Sequence, residues 1–100
     1  MGNSGRIQTR QNMPAWVQTV GAMLAEGCEV RAMCQVCRRW EPVDLAKIAA
    51  AKGPDYSLID RRSRCRFTPG CKGWVRFAYL LGVFRPLWTT AAAERWMRGS

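Results

Sequence analysis

Apolar residues recur with two different periods along this chain, and the changes of period divide it into elements. Over residues 14–26, Trp16, Val20, Met23 and Leu24 fall at helical spacing, which predicts a helix after Pro14. A shorter version, 20–26, would be capped by Thr19. Gly27 suits the left-handed residue that ends such a helix. The period then drops to two. Cys28, Val30, Ala32 and Cys34 alternate with Glu29, Arg31 and Met33, predicting a short strand that delivers Cys34 to a turn. Helical spacing returns with Leu45, Ile48 and Ala49. Pro42 fits the first turn of that helix, and Glu41 and Asp44 fit the positive end of its dipole. Gly53-Pro54 stops it. Residues 55–62 then predict a short third helix.

Residues 74–81 fit both periods. Their aromatic content and the turn residue Gly82 favour a strand, and 83–88 would return as a second strand. Pro86, lacking a backbone N–H, confines that second strand to a sheet edge. Thr89 or Thr90 then caps a helix over 91–97. Trp40, Phe77, Leu81 and Trp88 are the expected core aromatics and aliphatics. Trp96 and Met97 suggest a stripe for a partner, or packing against Trp16. Residues 1–13 carry Ile7 as their one large aliphatic side chain, too little to offset the entropy of ordering. They are expected to form a flexible N-terminal arm, with 14–100 a single domain.

The cysteines change this picture most. Cys34-Gln35-Val36-Cys37 is a C-x-x-C pair, and Cys65 and Cys71 form a wider C-x5-C pair. Zinc takes four soft or borderline ligands in a tetrahedron, and two tight turns can each present two sulfurs. Thr68-Pro69-Gly70 reads as such a turn, and Gly70 and Gly73 let the backbone curl around Cys71. Cys34, Cys37, Cys65 and Cys71 are therefore the candidate metal ligands, with structural Zn2+ as the expected cofactor. Cys28 is expected to be an inert apolar thiol, and the first substitute should one of the four fail. The resulting expectation is an α+β fold, a small zinc-ribbon-like domain with four cysteine ligands, short helices and a β-hairpin.

A thioredoxin-like use of the C-x-x-C pair needs a strand–helix context that Arg38, Arg39 and Trp40 do not provide. Four cysteines would fill a zinc site and leave no position for water. The chain has no histidine, and its acids are scattered. No catalytic residues are expected, and the protein reads as a non-enzyme. There is no apolar leader and no run near the roughly 18 apolar residues of a membrane span. An odd number of cysteines argues against a disulfide framework. A cytoplasmic location is expected.

Charge sets the class of partner. The chain has 16 basic and 7 acidic residues, a net +9. It stays strongly cationic when four thiolates and a divalent ion are counted. Such a field attracts polyanions without choosing among them. Between Asp60 and Glu94 there is no acid. That span holds Arg61, Arg62, Arg64, Arg66, Lys72 and Arg76, with Trp74 among them. Arginine binds phosphate as a bidentate fork, and aromatic faces stack on unpaired bases. Arg38 and Arg39, just past the first knuckle, are candidates for the same face. Alternatively, Arg61, Arg62 and Arg64 are a solvated helix end.

Several stretches, Thr19-Val20-Gly21-Ala22-Met23-Leu24, Val30-Arg31-Ala32-Met33-Cys34-Gln35-Val36-Cys37, Asp44-Leu45-Ala46, Gly53-Pro54-Asp55 and Arg61-Arg62-Ser63-Arg64-Cys65, together resemble a group of small bacterial and phage-associated zinc-ribbon-like proteins. The resemblance runs from Thr19 to Cys71. It implies zinc on Cys34, Cys37, Cys65 and Cys71, a helix between the knuckles, and no particular activity. Thr68-Pro69-Gly70 departs from it by extending the second knuckle. Two roles follow as expectations. The first is a non-enzymatic zinc-binding adaptor or inhibitor docking on an acidic protein or larger assembly. The alternative is a cationic zinc-ribbon module that binds nucleic acid. Neither role requires a membrane or a small-molecule substrate.

Overall fold

The computed structural model describes residues 7–99. It is a small α+β fold: α1 (Val20–Glu26), β1 (Val30–Cys34), β2 (Trp40–Pro42), α2 (Leu45–Lys52), β3 (Arg62–Arg64), β4 (Trp74–Leu81), β5 (Val83–Pro86) and α3 (Thr90–Gly99). All strand pairs are antiparallel. β1 runs along one edge of β4 and carries β2 on its far side. β3 and β5 share the other edge of β4, β3 pairing with Trp74, Val75 and Arg76, and β5 with Ala78 through Leu81. No helix among the described residues is long and apolar enough to cross a membrane.

The register gives the sheet two unlike faces. Val30, Tyr79 and the half-buried Phe77 point to the main core, where Val17, Val20, Met23, Leu45, Leu58 and Leu87 pack. Cys34, Cys65 and Val75 form a second small core at the other end. The opposite face carries Arg31, Arg62, Arg64, Trp74 and Arg76, because these alternate with the inward residues. α3 lies on this second face through the buried Trp96.

The helix expected over 14–26 is split. A single 3-10 turn spans Ala15–Val17, and α1 starts only after Thr19, which is extended and accepts the Ala22 N–H at 3.1 Å. Gly27 closes α1 with φ of 73°, the left-handed geometry expected of it. The unsatisfied N–H groups at the start of α1 also explain why no helix forms over 55–62. Val20 N donates to Tyr56 O at 2.7 Å and Gly21 N to Pro54 O at 2.8 Å. Two carbonyls of the segment that would nucleate that helix are thereby bound to α1 instead. The chain reaches Arg62 in a turn and enters β3, so Arg62 and Arg64 are strand residues, not a helix end.

Pro42 lies opposite Arg31 in β2 rather than in a helix, and Val43 N extends the pairing to Val30 O at 2.9 Å. Asp44 is the cap of α2, accepting the Lys47 N–H at 3.1 Å. β4 and β5 form the expected hairpin, with β5 ending at Pro86. Trp40 and Leu81 are not core residues: both are exposed, and Tyr79 takes the expected buried role. Trp96 does not meet Trp16. It lies 6.4 Å from Trp88, while Trp16 stands edge-on to Tyr79 at 5.7 Å. The segment expected to be a free arm is docked from Gln8 onward. Gln8 exchanges backbone and hydroxyl bonds with Thr90, its amide reaches Trp88 O at 2.6 Å, and Met13 is buried. The first six residues lie outside the described residues.

Candidate metal centre and cationic groove

β1 ends on Cys34, and the chain turns at once so that Cys37 lies beneath it. Cys34 N donates to Arg39 O at 2.9 Å, closing this first knuckle. The second knuckle follows β3. Cys65 N donates to Gly73 O at 3.0 Å, and Cys71 N to Thr68 O at 3.0 Å. Arg39 spans the two, its guanidinium donating to Phe67 O at 2.9 Å.

This folding brings Cys34, Cys37, Cys65 and Cys71 together, with all four sulfurs within 4.8 Å of one another. Cys34 and Cys71 are 3.7 Å apart, as are Cys37 and Cys65. Thiolates on a tetrahedral ion at about 2.3 Å would be separated by roughly 3.8 Å. The cluster has the dimensions of a four-thiolate metal site, and none of the four is in a disulfide. Gly73 is fitted to it. A Cβ there would lie 2.8 Å from Cys34 Sγ and 2.7 Å from Val36, and the Gly73 N–H donates to Cys71 Sγ at 3.4 Å.

The thiols are tuned in opposite directions. The Thr68 side chain and the Arg39 backbone lower Cys37 to about 6. At Cys71 the Gly73 N–H pulls downward, but burial and the thiols of Cys34, Cys65 and Cys37 prevail and push it up to about 11. Cys28 belongs to the main core and not to this cluster. Burial raises its thiol, as expected of an inert residue.

Beside the cluster, between the first knuckle and the β3–β4 edge, lies a groove of about 520 Å3 lined by Gln35, Arg62, Arg64, Lys72, Trp74 and Arg76. Among the described residues no carboxylate lines it. Arg62 and Arg64 rest on Trp74, their guanidinium carbons 4.1 and 4.7 Å from the ring centre, and Arg64 also donates to Lys72 O at 3.2 Å. Arg62 and Arg76 each lie 5.0 Å from the Trp96 ring. Burial, then the neighbouring Arg62, lower the Arg76 guanidinium from its ordinary value, and its Nε is buried with no hydrogen-bond partner among the described residues.

Of the cations singled out in the sequence, Arg62, Arg64, Lys72 and Arg76 converge here with Trp74. The others do not. Arg38 turns to a separate depression with Met33 and Gln35. Arg39 bridges the knuckles. Arg61 donates to Ser57 O and lies over Tyr56, on the α2 side. Arg66 lines a depression with Ala32 and Ser63, on the apolar side of the sheet. Two residues were missed by sequence reasoning. Gln35 lines the groove, hidden inside the C-x-x-C turn. Arg31 extends the cationic face, held between Trp40 and Phe84 at 3.6 and 3.9 Å. The alternation of β1, with Val30, Ala32 and Cys34 inward, carried the signal for Arg31.

The chain matches no family model, no curated protein and no solved structure.

Proposed function

We propose that this chain is a zinc-stabilised module that binds the phosphate backbone of nucleic acid through the groove beside its metal centre. The observation that carries the reading is the convergence of Arg62, Arg64, Lys72 and Arg76 on one groove with no carboxylate among the described residues of its lining. Bringing four like charges together is unfavourable unless an anion relieves them. A guanidinium stacked on a ring keeps N–H donors in its own plane free for phosphate oxygens. Two arginines already lie over the Trp74 ring, so the grip is on phosphate rather than on stacked bases, and the binding is indifferent to sequence.

Zinc is the ion this donor set suits best, being four-coordinate and thiophilic. Its role is structural: it ties the two knuckles and so positions Gln35 and Lys72 on either side of the groove. On this reading the knuckles hold the fold together and the β3–β4 cations add the binding surface.

Fluorescence anisotropy with labelled single-stranded and duplex oligonucleotides over a salt series tests the proposal. Four phosphate contacts give a slope of log K against log salt of about −3 on single strands. Arg64→Glu and Lys72→Glu, both at exposed positions, should each weaken binding about tenfold or more without lowering the melting temperature. Absence of binding at low salt would overturn it. Equal or tighter binding to labelled polyglutamate would point instead to an acidic protein partner.

A further inference from the structure

A second cleft, of about 500 Å3, lies between α2 and the sheet and shares Arg62 alone with the lining of the arginine groove. Its origin can be traced to the helix. α2 packs on α1, and the positions it turns toward the cleft are Lys47, Ile48, Ala51 and Lys52, neighbours at helical spacing. Ala51 is too small to fill the gap. The floor is therefore the edge of the main core: Ile48 and Leu58, with the half-buried rings of Tyr56 and Phe77. The rim is cationic. Lys47 and Lys52 stand on the helix side, and Arg61, with Arg62 next to it in the lining, on the other; Arg61 is braced over the Tyr56 ring at 4.7 Å and donates to Ser57 O at 3.2 Å. No acidic residue lines this cleft either.

An apolar floor of this size with a few convergent polar groups is the usual form of a small-molecule site. The floor asks for an aliphatic or aryl group. The rim asks for a negative charge at its solvent end. A neutral apolar molecule would leave the rim unused, and a polyanion would leave the floor unused. We propose that the α2–sheet cleft is a binding site for a small amphipathic anion, a hydrocarbon or aryl tail carrying one carboxylate or sulfonate.

Decanoate and decanol, titrated separately against isotope-labelled, metal-loaded protein and followed by amide chemical shifts, test this directly. Decanoate should perturb Ile48, Ala51 and Phe77, and bind at least tenfold more tightly than decanol. Ala51→Leu keeps a strong helix former at an exposed position while filling the gap; it should abolish binding with the melting temperature unchanged. Lys47→Glu with Lys52→Gln should weaken decanoate about tenfold and leave decanol unaffected. Equal affinity for the two probes, shifts that map to the Trp74 groove instead, failure of decanoate to saturate any site, or undiminished binding by Ala51→Leu would each overturn the proposal.

Discussion

The carboxylate of Asp60 holds Thr89 with both oxygens, one accepting the Thr89 N–H at 2.6 Å and the other its hydroxyl at 3.1 Å. The same hydroxyl oxygen accepts the Ala92 N–H at 3.1 Å, so Thr89 is at once the cap of α3 and its tether to the entry of β3. Asp60 has φ of 61° to reach it, a left-handed conformation that Asp tolerates better than most residues. Through this link α3, and with it Trp96, is placed over Arg62 and Arg76.

Breaking that tether should be costly. Asp60→Ala leaves a buried Thr89 donor without its partner and should destabilise the fold by about 1–3 kcal/mol. For a domain of this size the melting temperature falls by about 4–8 °C per kcal/mol. A thermal melt followed by tryptophan fluorescence checks it, since Trp88 and Trp96 sit at the affected contact. An unchanged melt would mean that α3 is held by its apolar contacts alone.

Metal content separates the cysteines. Purified protein should carry one equivalent of ion by mass spectrometry. Cys34→Ser or Cys65→Ser should lose it together with the cooperative melt, because binding free energy at such a site is folding free energy. Cys28→Ser should retain full stoichiometry. A Cys28 variant that loses metal would reassign the ligand set.

Gly73 gives a sharper test, since it is no ligand. Gly73→Ala drives a methyl group against Cys34 Sγ and Val36. It should weaken metal retention against a competing chelator by about tenfold or more, with all four thiols intact. Retention equal to that of the natural chain would mean the second knuckle can shift to admit the methyl.

Acidification should release the ion. Thiolate ligands must be stripped of protons to bind, so protons and metal compete. Cys37, held to about 6 in the fold, is a depressed group. The stability its thiolate contributes is complete above the ordinary thiol range and is lost as pH falls through about 6. Cys71, raised to about 11, works the opposite way. Without an ion its thiol form is favoured up to about 11, so an ion that binds Cys71 at neutral pH must displace that proton. Metal release, read with a chelating dye, should therefore accompany loss of the circular dichroism signal as pH falls toward 6 and below. A signal that persists after the metal has gone would show a fold independent of it.

Local signals made much of this legible. The Thr19 and Gly27 ends of α1, the Gly53-Pro54 stop of α2, the β4–β5 hairpin and the alternation of β1 all follow from side-chain period and backbone preference. The clustering of the four cysteines followed from spacing, because tight turns present paired sulfurs whatever else the chain does. Misplaced elements share a different cause. The carbonyls of Pro54 and Tyr56 are bound by α1, Pro42 is opposite Arg31 in a sheet, and Met13 fills a core assembled from residues far along the chain. None of those partners is local.

The sequence by itself determined the short elements, the strong positive charge and the four sulfurs, since each depends on residue type and near neighbours. Only the tertiary structure decided which cations meet. Arg62, Arg64, Lys72 and Arg76 share a groove because β3 pairs with β4 in one register, whereas Arg38, Arg61 and Arg66 lie outside the strands and line other surfaces. It also decided that Trp40 faces solvent and Trp96 does not. Burial depends on what lies across the sheet, and that is set by strand order and register rather than by any residue's own character.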